Sequence, residues 1–554
     1  MRVCIFVTLF ICSWSSVATA DSKLPPVIAH WKLAGDAQDA GPNGLHGKNQ
    51  GVKFDLSKPG PTHPVGVFGG RQESIEVPAS PQLKLGTSDF SISLWVHTAQ
   101  LLDDDLGDLL SKYDPVKRTG FHLTLRNNTG TTNSLANTRQ LQFGIDQGSE
   151  PTWTDAGRPG KTIVGFSMAT HAGALYVGTC EGELDQAGHV YRYAGEQKWI
   201  DCGIPNKANS VSSLAAFEGR LYAGTAKYRL KGSALAESDN PNLGGQIFSL
   251  DDSGKWTPCG QLPEAEGVGG MTVYKGRLYA SSLYKPAGIF RYEGDGKWTS
   301  LTPPDGKRTV SLGVFNGSLW ATSYDNGHIY RFDGETWTDT GATEDNTQNY
   351  SFADYQGHLC VGTWPSGKVY RLNAQNQWED FGRLGGELEV MGMLIHNGKF
   401  YAGTLPLAEV YRLDGDREWT RLRQLDPTET KYRRVWTAAQ YAGQVYWSAL
   451  PTGHIFAMEA GKCVTYDREL PAGWRHIAAV KSGGTLKLYV DGQPVAKSIG
   501  FDTAKFDLSN EQPLRIGAGS GANFNGQLSN IRLFGHSLTD ADIAILAAEQ
   551  QSDK

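Results

Sequence analysis

Seven tryptophans and seven glycines alternate along the middle of the chain, and the distance between partners hardly changes. Six of the seven tryptophans precede their glycine by 19 or 20 residues, and successive glycines lie 40 to 57 residues apart. A recurrence of this length indicates a repeat array, and the short β-patterned segments inside each unit favour propeller blades over helical repeats. The two sets are Trp153, Trp199, Trp256, Trp298, Trp337, Trp378 and Trp419, and Gly173, Gly219, Gly276, Gly317, Gly357, Gly398 and Gly443.

Each repeat unit reads as four short strands. An apolar strand leads into Gly-x-Leu-Tyr, as at residues 219–222, and a small pair such as Gly-Thr follows. After a variable loop comes Val/Ile-Tyr-Arg, as at residues 190–192, and a turn then leads to the tryptophan. The repeat glycine is expected in the first hairpin, where a positive φ is needed. The unit resembles a kelch repeat in which Gly-Thr or a similar small pair replaces the diglycine.

The array is offset at its two ends. Trp153 precedes every repeat glycine, whereas Gly443 has no tryptophan at the expected distance after it. The simplest explanation is ring closure, in which a strand at residues 153–155 completes the blade formed by residues 435–458. Closure of this kind leaves no open sheet edge and gives seven blades. An open array, or one whose blades are miscounted, is the alternative.

The segments on either side of the repeats carry a different pattern, with alternating strands joined by turns. Three motifs stand out: Trp-Arg-His-Ile-Ala-Ala-Val at 474–480, Leu-Tyr-Val-Asp-Gly at 488–492, and Phe-Asn-Gly-Gln-Leu-Ser-Asn-Ile-Arg-Leu-Phe at 524–534. With these motifs the flanks resemble the two halves of one laminin-G-like, concanavalin A-type jelly roll. The resemblance implies an all-β protein in which a seven-bladed β-propeller is inserted into a jelly-roll sandwich.

These observations divide the chain into five parts. They are a signal peptide at 1–20, the first part of the jelly roll at 21–150, the propeller at 151–462, the second part of the jelly roll at 463–548, and a tail at 549–554. Such an insertion is physically acceptable, because a propeller closed by its own first and last strands has its entry and exit close together. Neither half of the jelly roll could bury its apolar face alone, so the halves must meet.

The first twenty residues have the features of a secretory signal. Arg2 is followed by an apolar run at residues 3–12, and Ala-Thr-Ala at 18–20 gives a small-x-small cleavage pattern. The sequence therefore predicts a secreted or periplasmic/extracellular protein, and no other apolar stretch is long enough for a transmembrane segment. The formal net charge of −6 argues against nucleic acid as the main partner.

Five cysteines follow the predicted signal, and their spacings match no metal signature. We expect buried thiols with at most one disulfide, for which Cys180 and Cys202 are the best candidates. His189, His328 and His454 occupy equivalent repeat positions, but they belong to separate blades and are not expected to converge on a metal ion.

Candidate ligand-binding residues cluster in the loops of one propeller face. The loops between second and third strands hold aromatic residues, and the loops between blades add charged residues and a further tryptophan. Aromatic faces beside polar groups suit sugar rings, although an ordinary loop face with blade-packing aromatics is the alternative. The candidates are Tyr228, Tyr284, Tyr324, Trp364, Glu387, Glu389, Arg433, Arg434 and Trp436.

Three chemical possibilities follow from individual residues. Glu387 and Glu389 could form a carboxylate pair, and Arg433 with Arg434 could bind a uronate or a sulfate. In jelly rolls similar to the flanks, the turn that contains Asp39 can hold a structural Ca²⁺, for which oxygen ligands are suited.

The sequence lacks the usual catalytic motifs, including a nucleophile elbow, a zinc-protease helix, a phosphate loop and a dinucleotide fingerprint. We therefore predict a secreted carbohydrate- or glycoprotein-binding protein without catalytic activity, whose partner is a polysaccharide or a glycoprotein glycan. One alternative is a polysaccharide-degrading hydrolase or lyase with its site on the propeller face. Another is an extracellular protein-interaction scaffold.

Overall fold

The computed structural model describes residues 24–56, 64–183, 186–251, 253–301 and 306–549, so the predicted signal peptide lies outside the described residues. Within these ranges the regular structure is almost entirely β. One α-helix, α1 (Asp540–Ala548), begins at a capping box formed by Thr539 and Asp542, and short 3-10 turns occupy Pro81–Leu83, Leu230–Ser233 and Thr503–Lys505. In the described ranges, no helix has the length and apolar character needed to cross a membrane.

The strands fall into three groups along the chain. The first group is β1 (Val27–Trp31), β2 (Lys48–Gln50), β3 (Lys53–Asp55), β4 (Val65–Gly69), β5 (Ser74–Val77), β6 (Phe90–Thr98), β7 (Leu106–Asp114), β8 (Thr119–Asn128) and β9 (Asn137–Gln147). The second is β10 (Thr152–Asp155), β11 (Val164–His171), β12 (Ala174–Cys180), β13 (Val190–Tyr193), β14 (Trp199–Asp201), β15 (Ser210–Phe217), β16 (Arg220–Ala226), β17 (Gln246–Leu250), β18 (Trp256–Gln261), β19 (Val268–Tyr274), β20 (Arg277–Ser282), β21 (Ile289–Gly294), β22 (Lys297–Ser300), β23 (Thr309–Phe315), β24 (Ser318–Ser323), β25 (His328–Phe332), β26 (Trp337–Ala342), β27 (Gln348–Tyr355), β28 (His358–Trp364), β29 (Lys368–Leu372), β30 (Trp378–Arg383), β31 (Glu389–His396), β32 (Lys399–Leu405), β33 (Glu409–Leu413), β34 (Trp419–Gln424), β35 (Arg434–Tyr441), β36 (Gln444–Leu450) and β37 (Ile455–Glu459). The third is β38 (Lys462–Tyr466), β39 (Gly473–Ser482), β40 (Thr485–Val490), β41 (Gln493–Lys497), β42 (Leu514–Ile516) and β43 (Asn525–Phe534).

The first and third groups form one sandwich of two antiparallel sheets. One sheet runs β3-β4-β43-β6-β39-β40-β41, with β1 also paired to β43, and the other runs β2-β5-β42-β7-β8-β9-β38. Each sheet therefore contains strands from both ends of the chain. The two inner faces share one hydrophobic core that includes Trp31, Phe90, Phe143 and Leu533. The expected meeting of the two flanks in one jelly-roll sandwich is confirmed.

The second group forms seven four-stranded antiparallel units in the described part of the chain. Successive units begin at β11, β15, β19, β23, β27, β31 and β35, and the first two are joined into one larger sheet by a single bridge between Cys180 and Ser210. The last unit is completed by β10, in which Trp153 lies opposite Met458. The innermost strands contact one another in sequence, and β11 contacts β35, so the ring is closed as the offset of the repeat predicts.

The repeat glycines and tryptophans each have a distinct structural role. Each glycine is the second residue of a two-residue hairpin turn in which both residues have positive φ, for example Ala172 (φ 50°) and Gly173 (φ 85°). This is the turn whose twist matches antiparallel strands. Several repeat tryptophans hold neighbouring blades together, because the indole N–H donates to the outer strand region of the preceding blade. Trp256 donates to the Cys202 carbonyl and Trp298 to the Cys259 carbonyl, both at 2.9 Å.

The glycine hairpins form the face of the propeller that docks on the jelly roll. The amide of Gly173 donates to the Asp467 carbonyl at 2.7 Å, and the amide of Gly317 donates to the Asp103 carbonyl at 2.8 Å. At Gly398 the approach is so close that a Cβ would lie 2.0 Å from Nε2 of the buried His122. The opposite face of the propeller is therefore the one left for ligands.

A hairpin of the jelly roll enters the propeller along its central axis. The turn at residues 129–136, between β8 and β9, consists of small polar residues followed by Leu-Ala, and all of them are buried. It forms hydrogen bonds with the innermost strand of every blade. These are Thr170 N to Ala136 O, Leu135 N to Leu214 O, Met271 N to Asn133 O, Val314 N to Thr129 Oγ1, Phe352 N to Gly130 O, Thr131 Oγ1 to Met393 O, and Thr132 Oγ1 to Trp436 O.

This hairpin, the axial plug, has a clear energetic basis. Apart from the single bridge at Ser210, the innermost strand of each blade pairs on one side only, so its other edge presents unpaired N–H and C=O groups to the axis. The plug supplies partners for part of that edge. Burial without such partners would cost about 1 to 3 kcal/mol for each group. The plug also closes the axis from the jelly-roll side, so a ligand cannot pass through the ring.

Candidate functional site

The sequence-derived candidates lie on the face opposite the jelly roll, which we call the open face. Tyr228 and Trp436 belong to one hydrophobic cluster with Phe166 and Tyr350. Tyr284, Tyr324 and Trp364 pack against the same cluster and are half-buried. The structure thus gathers the predicted aromatic residues at the open end of the axis, but it uses several of them for packing.

The inner members of the cluster have no free ring face. The Trp436 ring centroid lies 4.4 Å from that of Phe166 and 5.4 Å from that of Tyr228, and both Trp436 and Tyr228 are buried. Sugar stacking needs an exposed ring face, so these two residues do not contact a ligand in this conformation. For them the packing alternative describes the structure better than the stacking hypothesis.

Arg434 is also buried, at the centre of the open face. Its Nε lies 3.4 Å from Oε1 of Glu389, and its guanidinium carbon lies 5.4 Å from the Trp436 ring centroid. Its other nitrogens donate to the carbonyl of Gly232, at 3.1 Å, and to the hydroxyl of Ser233. Neighbouring Glu389 has a raised pKa, because burial disfavours the carboxylate more than the Arg434 charge stabilises it.

The long connection between β16 and β17 explains why Arg434 is covered. This loop carries the 3-10 turn Leu230–Ser233 across to blade seven, and the Ser233 hydroxyl also hydrogen bonds to the Tyr228 hydroxyl at 2.7 Å. The sequence contains a signal for this cover, because the second repeat is the longest, and its glycine and the next are 57 positions apart. Length alone does not show where a loop folds.

The remaining charged candidates are used within the protein. Oε2 of Glu387 accepts the Leu407 amide at 3.2 Å, and Glu387 lies beside Glu409 rather than forming a pair with Glu389, which faces Arg434. Burial, together with the Glu409 carboxylate, raises the pKa of Glu387 to about 7. Arg433 donates to the carbonyls of Thr428 and Pro406. Sequence adjacency therefore did not identify the actual pairs.

The open face also has a depression that the sequence did not single out as a unit. It lies between blades three and four and has a volume of about 720 Å³. Its lining residues are Glu264, Glu266, Lys285, Pro286, Ala287, Gly306, Arg308 and Asp325. We call it the open-face depression.

Two arginine–carboxylate pairs line or border this depression beside tyrosine rings. The Nε of Arg308 donates to both oxygens of Asp325, at 3.0 and 3.1 Å, and its guanidinium lies 4.7 Å from the Tyr324 ring centroid. Burial opposes ionisation of Asp325, but hydrogen bonds from Arg308 lower the pKa of this carboxyl overall. Arg229 pairs with Glu266 at 2.9 Å and lies 6.0 Å from the Tyr284 ring centroid. The two guanidinium–carboxylate pairs and their tyrosine rings therefore hold fixed positions next to solvent.

Asp39 organises its turn through both carboxylate oxygens. Oδ1 accepts the amides of His30 and Gly41, at 2.8 and 2.7 Å, and Oδ2 accepts the amide of Leu45 at 2.9 Å. Ca²⁺ takes six to eight oxygen ligands, and most of the lone pairs of this carboxylate are already used. A calcium ion at this turn stays a prediction, and the geometry does not favour it.

The other polar candidates have local partners. His189, His328 and His454 each contact an aspartate on the fourth strand of their own blade: Asp201, Asp339 and Asp155. Within the described ranges, no three His, Cys, Asp or Glu side chains are placed to hold a metal ion. All five described cysteines are free thiols, so the candidate Cys180–Cys202 disulfide is not formed.

The family comparison supports one of the two folds directly. A model of the concanavalin A-like lectin/glucanase superfamily, of the laminin G type, matches residues 419–544, which include β38 to β43 of the sandwich. Among curated proteins, none matches this chain.

Several solved structures are similar to a large part of the chain. One is virginiamycin B lyase from Staphylococcus aureus, with 12% identity and a TM-score of 0.45 over 56% of this chain and 99% of that one. A second is YCF48 bound to D1 peptide, with 12% identity and a TM-score of 0.39 over 56% and 97%. The third is the WD40 β-propeller domain of Doa1, with 10% identity and a TM-score of 0.34 over 66% and 97%.

The class of protein is defined by these two folds together. The chain combines a laminin-G-like, concanavalin A-type jelly roll with an inserted β-propeller, as the sequence predicts.

Proposed function

We propose that this protein acts outside the cytoplasm as a non-catalytic glycan-binding protein, and that the open-face depression holds the sugar. The signal-like first twenty residues support the location. The lining of the depression supports the ligand class, because fixed carboxylate and guanidinium groups beside tyrosine rings match the hydroxyl groups and C–H faces of a sugar.

The single observation that carries this proposal is the Arg308–Asp325 pair over Tyr324. Each group already holds the other in one orientation, so little side-chain freedom would be lost when a hydroxyl group binds both. Glu264, Glu266 and Asp325 are offset by Lys285, Arg308 and the neighbouring Arg229. This balance of charge favours a neutral glycan over a polyanion.

The non-catalytic part of the proposal rests on how the carboxylates are used. Glu387 and Glu409 are buried, and in the depression Glu266 and Asp325 are each paired with an arginine. Glycoside hydrolysis needs two carboxyl groups that flank the sugar bond, one of which donates a proton. Against the effect of burial, hydrogen bonds from Arg308 lower the pKa of Asp325, which makes this carboxyl a poor proton donor.

The test is retention of the full-length protein on a panel of immobilised neutral and acidic glycans. The combined change Arg308→Ala and Asp325→Ala removes the pair without changing the net charge, and we expect retention on the bound glycan to fall at least about tenfold. The matched control is Arg371→Ala with Glu379→Ala, a pair 2.6 Å apart on the outer strands of blade five. We expect this control to bind like the wild type.

A second variant tests the aromatic side of the same surface. Tyr324→Ala combined with Trp364→Ala should abolish glycan retention while circular dichroism shows a folded protein. Unchanged retention in both variants would move glycan binding to the jelly roll and overturn the proposal. Release of reducing or unsaturated ends would favour the polysaccharide-degrading enzyme, and capture of proteins stripped of glycans would favour the scaffold.

A further inference from the structure

The jelly roll and the propeller do not meet everywhere along their contact. The hairpin of blade two turns at Glu218 and Gly219, and no atom lies within 4 Å of the Cβ position of Gly219. By contrast, a Cβ on Gly276 of blade three would lie 2.3 Å from a methyl group of Leu101 in the jelly roll. The gap beside blade two leaves a cleft between the two domains.

This seam cleft has a volume of about 330 Å³, within the range of small-molecule sites. Residues of the sandwich, the axial plug and two blades line it. They include Leu101, Thr138, Arg139, Phe217, Glu218 and Glu469.

One part of the lining is apolar and partly open to solvent. Leu101 is 58% exposed even though it leans over Gly276, and Leu102, Phe217 and Val273 are half-buried around it. An exposed leucine at a concave surface gains about 25 cal/mol for each Å² that a ligand covers. These residues suit the apolar part of a small ligand.

The polar part of the lining contains buried oxygens that have no hydrogen-bond partner among the described residues. They are Oε1 of Glu469 and Oγ1 of Thr138. Arg139 lies close to Glu469, but its guanidinium donates to Thr98 Oγ1 at 2.7 Å and to the carbonyls of Ala99 and Gln100. The arginine donors are therefore used by residues 98–100, and Oε1 of Glu469 is left without a hydrogen-bond donor in the described part of the chain.

The charges around the cleft favour a cation. Glu218 and Glu469 carry two negative charges when ionised, and Arg139 carries one positive charge. Burial raises the pKa of Glu469, with the Arg139 charge opposing the shift. A donor with a positive charge would satisfy the oxygen and stabilise the ionised form of this carboxyl.

From the cavity, its apolar walls and its unsatisfied buried oxygens, we propose that the seam cleft binds a small apolar amine. The ammonium group hydrogen bonds to Glu469 and the apolar body lies against Leu101 and Phe217. This site is separate from the open-face depression and does not depend on glycan binding. Because its walls come from both domains, a bound amine would also hold the two domains together.

The experiment measures binding of phenethylamine and of its neutral isostere 2-phenylethanol to the full-length protein, by ligand-observed NMR and calorimetry. For a ligand of this size we expect a Kd near about 1 mM. Glu469→Gln keeps the shape and removes the charge, so phenethylamine should bind at least about tenfold more weakly, with 2-phenylethanol unchanged. Leu101→Ala, a change at an exposed residue, should weaken both probes.

The control is Glu264→Gln, which removes a carboxylate from the open-face depression and should leave phenethylamine binding unchanged. Equal affinity of wild type and Glu469→Gln for phenethylamine would overturn the proposal. Equal affinity of wild type and Leu101→Ala for both probes would do the same, and this second variant is informative even if Glu469→Gln does not fold. Absence of binding to the wild type at about 10 mM would also contradict the proposal.

Discussion

Replacing Asp354 by asparagine should make the protein more stable at neutral pH and change its stability little in acid. Asp354 lies on β27, at the contact between the propeller and the jelly roll. It is buried, and its Oδ1 has no hydrogen-bond partner among the described residues. Asp104, Asp105 and Asp108 of the jelly roll face it, and Arg126 is the neighbouring cation. Four carboxyl groups thus lie near one guanidinium, which is paired with Asp105 and Asp108.

The environment of Asp354 raises its pKa well above the ordinary 3.8, first through burial and then through Asp105 and Asp104. Burial also raises the pKa of Asp104, to about 6. A carboxyl with a raised pKa in the folded state stabilises the fold below its unfolded pKa, and this stability is lost as the pH rises towards the folded value. The contribution of Asp354 to the contact between the two domains is therefore greatest in acid.

The size of the effect follows from this shift. While Asp354 stays protonated in the folded protein and ionised in the unfolded chain, each unit of rising pH lowers the free energy of unfolding of the wild type by about 1.4 kcal/mol. Asparagine is nearly isosteric with the protonated form and does not titrate. The free energy of unfolding of Asp354→Asn minus that of the wild type should therefore grow by up to about 3 kcal/mol between about pH 5 and about pH 7.

The assay is urea unfolding followed by tryptophan fluorescence, repeated across this pH range for wild type and variant. The control is Asp416→Asn, which removes an exposed carboxylate in blade six and should shift the midpoint little at any pH. Parallel pH dependences for wild type and Asp354→Asn would refute the reasoning, because they would show that Asp354 is already ionised in the folded state.

Two further predictions concern the repeat glycines and the thiols. Gly398→Ala should lower the melting temperature far more than Gly219→Ala: the φ values are alike, +72° and +73°, but the added Cβ meets His122 at 2.0 Å only in the first case. Gly219→Ala should be destabilised only by about 1 to 2 kcal/mol, the cost of placing alanine in the left-handed backbone region. Equal losses of stability in the two variants, measured by calorimetry, would disprove the close contact at Gly398. Among the five described cysteines, Cys202 is the half-exposed one, so Cys202→Ser should remove the fast phase of native thiol labelling. A fast phase that persists in this variant would mean that a buried thiol becomes accessible.

The repeat spacing was sufficient to predict the propeller. Turn chemistry and strand patterning are local properties, so the glycine hairpins and the four strands of each blade follow from a few neighbouring residues. The missing tryptophan after Gly443 even indicated that Trp153 closes the ring, and the structure places it opposite Met458. The flank motifs likewise predicted a sandwich built from both ends of the chain.

The candidate site was only partly predictable. The sequence predicted that Tyr284, Tyr324 and Trp364 lie together on one propeller face, and they lie half-buried on the open face. It could not show that the loop containing Ser233 reaches blade seven and covers Arg434, because long loops are positioned by contacts that have no periodicity. The same limit applies to Glu387, whose neighbour Glu409 belongs to another strand.

By itself, then, the sequence determined the strands, the blades and the split sandwich, because hydrophobic alternation and turn residues depend only on residues that are close together in the chain. Only the tertiary structure decided how the two domains meet. The plug at residues 129–136 looks like an ordinary polar loop in the sequence, yet it is buried on the propeller axis. Its groups match the unpaired edges of seven innermost strands that come together only when the ring has closed.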